Sequence, residues 1–497
     1  MMHLRQPNRL KFAATAAALL TLCAIAISTT TAWSTETKSD VKPAPAPTFN
    51  CDIAPIMFAQ CASCHRPGEA APFSLLTYKQ VSKRADLVAA VTESRFMPPW
   101  HAEPIETPFH GERRLTDEQI ATIQAWVDAD MPEGDPADLP AAPEFTPGWQ
   151  LGKPDLIVEM TDEFEVPADG PDIYHNFAIP LGLTEDKWVR AIEFRPSART
   201  VVHHSLFYCD PSGQAVKHPK FAQQSFDGDE EDSRGRGDLG GGSNGRSLGG
   251  WAVGATPLPL PAGLAYRVPA GSSLILSTHF HPSGVAERER SVVGIYFADK
   301  KPERSFTGVQ LPPLFGAISG VDIPAGEKRY TKTDSFTLPV AVDAFGANSH
   351  AHYLGKEMEL TATLPDGKQI DLLRINDFDF NWQEQYQYAE FVRLPKGTRL
   401  DGRVTWDNST DNIRNPTNPP VRVKWGRESL DEMGSVSLRM MPVNDEDLET
   451  LQNAYRDHVR AVAKERMSQR TGWRQRVKRW AAIAAAAEAR QERLATE

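Results

Sequence analysis

Cysteine is scarce in this chain of 497 residues, which contains only five. Four of them, Cys51, Cys61, Cys64 and Cys209, lie outside the N-terminal apolar segment. Cys61 and Cys64 belong to one motif, so at most one disulfide, between Cys51 and Cys209, is possible, and Cys51 is otherwise expected to be a buried thiol. The sequence is therefore no disulfide scaffold, and its stability has to come from hydrophobic cores, which a chain of this length can build.

Positive charge and long apolar runs are also in short supply. Lys and Arg total 54 against 65 Asp and Glu, and the formal net charge of −11 argues against nucleic-acid binding. The apolar run Phe12–Ile27 is shorter than the roughly 20 residues of a membrane span. Basic residues precede it and Thr30-Thr31-Ala32 follows it. We predict a secretory signal peptide over residues 1–32, with an uncleaved anchor as the alternative and no other membrane contact.

The strongest motif is Cys61-Ala62-Ser63-Cys64-His65. The two thiols of such a motif can form thioethers with the vinyl groups of a haem, and the following histidine can ligate the iron. A redox-active cysteine pair is one alternative, and half of a zinc site is another, but the second cysteine pair that zinc requires is missing. We predict covalently bound haem c. Haem is attached to this motif outside the cytoplasm, so the motif and the signal peptide both predict a periplasmic or secreted protein.

The sixth ligand of the haem iron is predicted to be Met97, in the sequence Met97-Pro98-Pro99-Trp100. Flanking prolines would hold such a loop rigid and present the thioether. His101 is the competing ligand, and packing in the core is the ordinary alternative for Met97. The segment from Cys61 to Trp100 resembles a class I cytochrome c module of the kind fused to oxidative enzymes.

Composition divides the chain into segments. Residues 33–48 and 136–150 are rich in proline and read as linkers on either side of a helical region, 49–135. Short β-prone runs bounded by Gly, Pro and Asp follow, among them Ser273–Phe280 and Gly402–Trp406. Their span suits two sandwich domains, 151–305 and 306–444. The glycine-rich stretch Asp227–Gly250 is predicted to be a long loop. Residues 445–497 are predicted to form a helical tail.

Six of the thirteen histidines fall in three pairs within the β-prone region. The pairs are His203-His204, His279-Phe280-His281 and His350-Ala351-His352. In a strand, the two imidazoles of His-x-His project from one face about 7 Å apart and can chelate one metal ion. Adjacent histidines point to opposite faces unless the strand is twisted or bulged. Three such pairs predict metal sites, although imidazole alone suits zinc, copper, iron and nickel.

The β-prone region resembles the copper type II, ascorbate-dependent monooxygenases, the family of dopamine β-monooxygenase and peptidylglycine α-hydroxylating monooxygenase. Five motifs carry the resemblance, in order: Val202–Cys209, Ser277–Gly284, Ser349–Gly355, Phe380–Glu384 and Leu430–Met433. They span roughly residues 150–442. The resemblance implies that His203, His204 and His279 bind the electron-accepting copper of the first sandwich. His281 is extra relative to the family, so His279 and His281 remain alternatives.

The same resemblance implies that His350, His352 and Met433 bind the catalytic copper of the second sandwich. A thioether favours Cu(I), the state that meets dioxygen. The peptide-amidating branch of the family uses an arginine and a tyrosine at the positions of Asn348 and Ser437 to bind its substrate. A peptide carboxylate is therefore not expected as a substrate here.

Together these features predict a multidomain fold: a small all-α cytochrome c domain, two all-β jelly-roll-like copper sandwiches and a C-terminal helical tail. The predicted activity is hydroxylation of an aliphatic C–H bond of a small substrate with O2. Electrons would enter through the haem, supplied by ascorbate or a periplasmic redox partner. The alternative is a non-catalytic periplasmic protein that transfers electrons or handles copper.

Overall fold

The computed structural model describes residues 46–67, 69, 71–145, 148–213, 215–217, 247–252, 255–426 and 428–469. The predicted signal peptide and most of the predicted glycine-rich loop lie outside these residues. Within the described part of the chain, no helix is long and apolar enough to cross a membrane.

The described helices are few, and most of them are short. They are α1 (Ala54–Gln60), α2 (Tyr78–Ser82), α3 (Ala85–Glu93), α4 (Asp117–Asp128) and α5 (Leu448–Gln469). Helix α4 begins with a capping box, because the hydroxyl of Thr116 accepts from the amide of Gln119 while the Gln119 side chain accepts from the amide of Thr116. The sequence Thr-Asp-Glu-Gln at residues 116–119 is typical of such a helix start.

The first β-sandwich is built from antiparallel strands in two four-stranded sheets, with orders β1-β10-β4-β7 and β3-β8-β5-β6. Strands β2 and β9 form a separate pair. The strands are β1 (Leu156–Glu159), β2 (Phe164–Val166), β3 (Ile173–Pro180), β4 (Lys187–Arg195), β5 (Val202–Asp210), β6 (Ser247–Ala252), β7 (Tyr266–Val268), β8 (Ser273–Phe280), β9 (Glu287–Glu289) and β10 (Val292–Phe297).

Buried and less buried side chains alternate along β5, which lies in the first sandwich with one face on its core. Ser205, Phe207 and Cys209 are buried, whereas the residues between them are less so, as expected of a strand with one face on the core. The neighbouring strand β6 uses the end of the glycine-rich stretch, which corrects the prediction that Asp227–Gly250 is entirely loop. A Cβ atom on Gly250 would lie 2.9 Å from Cδ2 of Leu206, so glycine permits the close approach of β6 to β5.

The second β-sandwich also contains two four-stranded antiparallel sheets, with orders β11-β20-β14-β17 and β13-β18-β15-β16, and a separate pair of β12 with β19. The strands are β11 (Thr307–Leu311), β12 (Asp322–Ile323), β13 (Tyr330–Thr337), β14 (Val342–Ala351), β15 (Gly355–Thr363), β16 (Gln369–Ile375), β17 (Gln385–Leu394), β18 (Arg399–Trp406), β19 (Val423–Lys424) and β20 (Gly434–Pro442). Its core is continuous and contains the fully buried Trp406.

The predicted fold class, with a small all-α cytochrome c domain at its start, is wrong. The structure is mostly β-sandwich and about 18% helical, and no separate all-α domain is evident among the described residues. The segment after α3 leaves the helices and joins the second sandwich, where Trp100, Ala102 and Phe109 lie in the core. Isolated bridges pair Ala102 with Ile375 and Phe109 with Tyr388. These apolar side chains are buried against a sheet, so the helical region is not a closed domain.

The C-terminal helix α5 lies in the predicted helical tail and packs on the second sandwich. Leu451 and Tyr455 are buried in the core of the second sandwich. The hydroxyl of Tyr455 accepts from the amide of Gln310 and donates to its carbonyl, at 3.1 and 2.9 Å. Helix α5 therefore covers this sandwich. Residues 470–497 lie outside the described part of the chain.

Candidate metal centre

Three histidines of the first sandwich converge on one point. His203 and His204 lie on β5 and His279 lies on β8, and the ligand atoms that they offer lie within 4.8 Å of one another. Strand β5 pairs His204 directly with His279, and its register with β8 shifts between Val202 and His204. This irregularity leaves His203 out of the ladder, so adjacent histidines can turn towards the same centre.

The ring nitrogens of this cluster fit a metal ion. Nδ1 of His203 lies 3.0 Å from Nδ1 of His204, and the buried Nδ1 of His279 has no hydrogen-bond partner among the described residues. A buried nitrogen without a partner costs free energy that a bound metal ion would offset. Burial lowers the pKa of His203 to about 3 and also lowers that of His204 and His279. The rings are therefore neutral, which is the form that binds metals.

Asp172 holds His279 in this orientation. Its carboxylate lies 3.1 Å from Nε2 of His279 and 2.7 Å from Nδ1 of His281. Burial alone would raise the pKa of Asp172, but hydrogen bonds from His279, Ser429 and His281 outweigh it and hold the pKa well below its usual range. His281 is exposed and follows the last residue of β8, so the structure brings His279 into the cluster and leaves His281 outside it. Tyr174 stacks on the His279 ring with centroids 4.3 Å apart.

We expect Asp172→Asn to weaken metal binding by the first cluster by about 10- to 100-fold, the usual loss when a group that orients a ligand histidine is changed. The amide cannot accept from both His279 and His281 as the carboxylate does. Competition with a chelator of known affinity measures the loss. Asp186→Asn is the control, because Asp186 pairs with Arg267 on the surface of the same sandwich. Equal affinity of both variants for metal would contradict the orienting role.

The second cluster contains His350, His352 and Met433. His350 lies on β14, and the pairing of Ala351 with Gly434 places Met433 beside His352 at the end of the ladder. Nδ1 of His350 lies 2.6 Å from Oε1 of Gln383, and Nδ1 of His352 lies 3.0 Å from the carbonyl of Asp431. Each ring therefore keeps Nε2 for a ligand.

Burial keeps the two rings of this cluster neutral. It lowers the pKa of His350 to about 4 and that of His352 well below its ordinary value. The centroids of the two rings are 5.3 Å apart. Two neutral imidazoles beside a thioether form a donor set suited to copper.

Glu432 fixes the backbone around the second cluster, and the sequence did not single it out. Its buried carboxylate accepts from the amides of His352 and Leu354 at 3.1 and 2.6 Å and from Nε1 of Trp406 at 2.9 Å. Burial raises the pKa of Glu432 to about 8, although these hydrogen bonds oppose the shift. Its place beside Met433 in the Leu430–Met433 motif is the only sequence signal that could have indicated it.

We expect Glu432→Ala to lower the free energy of unfolding by about 3 kcal/mol or more, because several buried donors would lose their acceptor at about 1–3 kcal/mol each. Chemical denaturation measures this change. Glu390→Ala, at an exposed position of β17, should stay within about 0.5 kcal/mol of the parent protein. A Glu432 variant as stable as the Glu390 control would show that the carboxylate does not hold this loop.

The two clusters face one cavity of about 240 Å³, whose lining includes His204, His279, His350, His352 and Met433. The ring of Phe380 lies between them, with its centroid 4.4 Å from that of His203 and 5.4 Å from that of His352. A cavity of this volume suits a small molecule.

The Cys61–His65 segment follows α1 directly. Nδ1 of His65 lies 3.0 Å from the carbonyl of Phe73, which leaves Nε2 for an axial bond to iron. Burial lowers the pKa of His65 and raises that of the Cys61 thiol to about 12. The ring of His65 is therefore neutral, with Nε2 free to bind iron.

The two candidate sixth ligands lie in different surroundings. Met97 lies shortly after the end of α3, and its amide donates to the carbonyl of Val91 in that helix at 3.0 Å. His101 lies beside Asp379 and Arg414 of the second sandwich.

Two ion pairs fasten the helical region, residues 49–135, to the sandwiches. Glu69 pairs with Arg199 of the first sandwich at 3.3 Å. Arg113 pairs with Glu384, which lines the cavity between the histidine clusters. Glu69 and Arg113 therefore anchor this region to the two sandwiches.

The two cysteines outside the Cys61–His65 motif, Cys51 and Cys209, lie in different surroundings. Cys51 is exposed and Cys209 is buried in the core of the first sandwich. Both are described, and no disulfide joins them. The prediction that Cys51 is a buried thiol is wrong, because it lies on the outer face of the first helical turn.

Comparison with known proteins adds little to this site. No protein-family model matches the chain, and no curated protein matches it. Among solved structures, the VP2 subviral particle of infectious bursal disease virus is 9% identical, with 60% of this chain and 74% of that chain covered and a TM-score of 0.17. The Gx strain of the same virus gives 9% identity, 58% and 73% coverage and a TM-score of 0.18. At these scores the likeness carries no argument.

Proposed function

We propose that the protein is a copper-dependent monooxygenase that hydroxylates an aliphatic C–H bond of a small substrate with O2. One observation carries the proposal: a three-histidine cluster and a His-His-Met cluster face the same cavity. The resemblance of the five sequence motifs to the copper type II monooxygenases supports the same function.

The donor sets fit copper at both places. His203, His204 and His279 would hold one ion through buried, neutral rings, and His350, His352 and Met433 would hold the other. Bound copper supplies one-electron redox chemistry with dioxygen. Gln383 and the Asp431 carbonyl orient the rings of the second cluster. The cavity wall also includes Phe315 and Tyr174.

A covalently attached haem on Cys61 and Cys64, with His65 and Met97 as axial ligands, is the proposed inlet for electrons. The hydrogen bond of His65 to Phe73 supports this assignment, because it engages Nδ1 and leaves Nε2 as the nitrogen that would hold the haem iron. Ascorbate or a periplasmic redox protein would reduce the haem. Haem attachment to the Cys61–His65 segment does not require an all-α cytochrome domain.

The substrate is proposed to be a small molecule and not a peptide. Asn348 lines the cavity two residues before His350, where the peptide-amidating branch of the resembled family has an arginine. An amide side chain gives a substrate carboxylate no ion pair in this place.

Incubation with isotopically labelled dioxygen and extracts of the periplasm tests the proposal. The expected result is a product that contains one labelled oxygen atom and forms only with copper-loaded, reduced protein. Dioxygen uptake that does not depend on any extract component would favour the alternative, a protein that only transfers electrons or handles copper. Absence of both labelled product and dioxygen uptake would contradict an oxygenase.

A further inference from the structure

Ser429 of the second sandwich reaches the first histidine cluster. It lies between β19 and β20 and is buried, whereas the residues on either side of it, Glu428 and Leu430, are exposed. Its Oγ is 3.5 Å from Nε2 of His279 and also hydrogen-bonds to the carboxylate of Asp172. Because an ionised carboxylate only accepts, the serine hydroxyl is the donor to Asp172. Ser429 therefore contacts the Nε2 side of His279, whereas Nδ1 is the nitrogen left for a metal ion.

The turn that contains Ser429 also serves the second cluster. Nδ1 of His352 donates to the carbonyl of Asp431 at 3.0 Å, and Met433 lines the metal cavity. The amide of Asp431 donates to the carbonyl of Glu428 at 2.9 Å, and this bond closes a β-turn with Ser429 inside it. The position of Ser429 therefore sets the positions of the Asp431 carbonyl and Met433.

We propose that Ser429 is a positioning residue that couples the two metal sites, so that copper bound at the first cluster raises the affinity of the second cluster for copper. The inference rests on the copper sites of the proposed function. When Nδ1 of His279 binds a metal ion, the ring keeps one orientation, and its contacts hold Asp172 and Ser429 in place. The turn then holds Met433 and the Asp431 carbonyl where the second cluster needs them. Such coupling is reciprocal, so copper at the second cluster raises the affinity of the first by the same factor.

Anaerobic titration of the full-length protein with copper(I), in competition with a chelator of known affinity, tests the coupling. The sulfur of Met433 identifies the second site, because the other proposed ligands are all histidines and X-ray absorption at the copper edge detects a copper–sulfur contact. His204→Ala, which weakens the first site, is expected to lower the affinity of the second site about tenfold, within the usual range of coupling between sites. In a Ser429→Ala background, the same His204→Ala change should alter that affinity less than about twofold.

Ser409→Ala is the matched control. Ser409 is also a buried serine of the second sandwich, and its hydroxyl accepts from the amide of Asp411 at 3.3 Å. In a Ser409→Ala background, His204→Ala should still lower the affinity of the second site about tenfold. Met433→Leu gives the reciprocal measurement with Ser429 unchanged: the affinity of the first site should fall by the same factor as His204→Ala lowers that of the second.

Three results would overturn the coupling: a His204→Ala protein whose second site binds copper(I) as tightly as that of the parent, unequal factors in the two directions, or a Ser429→Ala background in which the loss persists. The first two do not depend on the Ser429 variant. A parent protein that binds both copper ions but inserts no oxygen would contradict the monooxygenase and leave the coupling intact. A parent protein that binds no copper would contradict the proposed function and the coupling with it.

Discussion

Replacing Met433 by leucine is expected to lower incorporation of labelled oxygen roughly a hundredfold or more, since loss of a group that only orients a metal ligand already costs up to about a hundredfold. Leucine keeps the bulk of methionine but has no sulfur lone pair. Met433 lies beside His352, immediately before β20, and lines the cavity. The second metal ion would therefore lose its thioether donor while the fold is kept.

Met440→Leu is the matched control for this variant. Met440 lies on β20 and is fully buried in the core, where such a swap costs less than about 1.5 kcal/mol. It should retain full activity, and both variants should keep the parent haem spectrum. Oxygen insertion that persists at the parent rate in Met433→Leu would show that Met433 is not a ligand of the catalytic metal.

Replacing His204 by alanine is expected to remove about one copper ion per chain and to stop reoxidation of the reduced haem. The ring of His204 faces the metal cavity, and His204 pairs with His279 across the sheet. Two remaining histidines make a weak site, and without the first copper the haem has no acceptor. Metal analysis and anaerobic haem absorbance measure the two effects.

His175→Ala is the control for the His204 variant. His175 lies on β3 of the same sandwich and packs against Phe164 and Phe177, away from the cluster. The copper content and the rate of haem reoxidation of the His175→Ala protein should match those of the parent protein. A His204→Ala protein that keeps two copper ions would contradict the assignment of the first cluster.

Local sequence signals predicted several strands well. The run Ser273–Phe280 is β8, and Gly402–Trp406 lies within β18. In both runs, apolar residues alternate or cluster between turn residues, so the sequence pattern alone is enough to predict these strands. Because side chains alternate along a strand, the sequence also predicted that His203 and His204 could share a metal ion only in a twisted or bulged strand. The register shift between Val202 and His204 is such an irregularity.

The choice between His279 and His281 could not be made from the sequence. Strand alternation places both rings on one face, but β8 ends at Phe280. His281 therefore follows a different path and hydrogen-bonds to Asp172 from the solvent side. Where a strand ends depends on its neighbours, which the local pattern does not contain.

The contacts that complete the site join residues distant in sequence. Asp172 reaches His279, and Glu432 reaches the backbone at His352. Neither belongs to a motif with metal-ligand spacing. The segment after α3 also makes contacts with residues distant in sequence. Its aromatic residues were predicted to belong to a helical domain, but they pack on a sheet of the second sandwich.

Metal analysis of the purified full-length protein tests the central claim most directly. The account predicts about two copper ions and one iron per chain, with the iron in covalently attached haem. Zinc at the histidine clusters, or protein that binds neither copper nor haem after reconstitution, would contradict it.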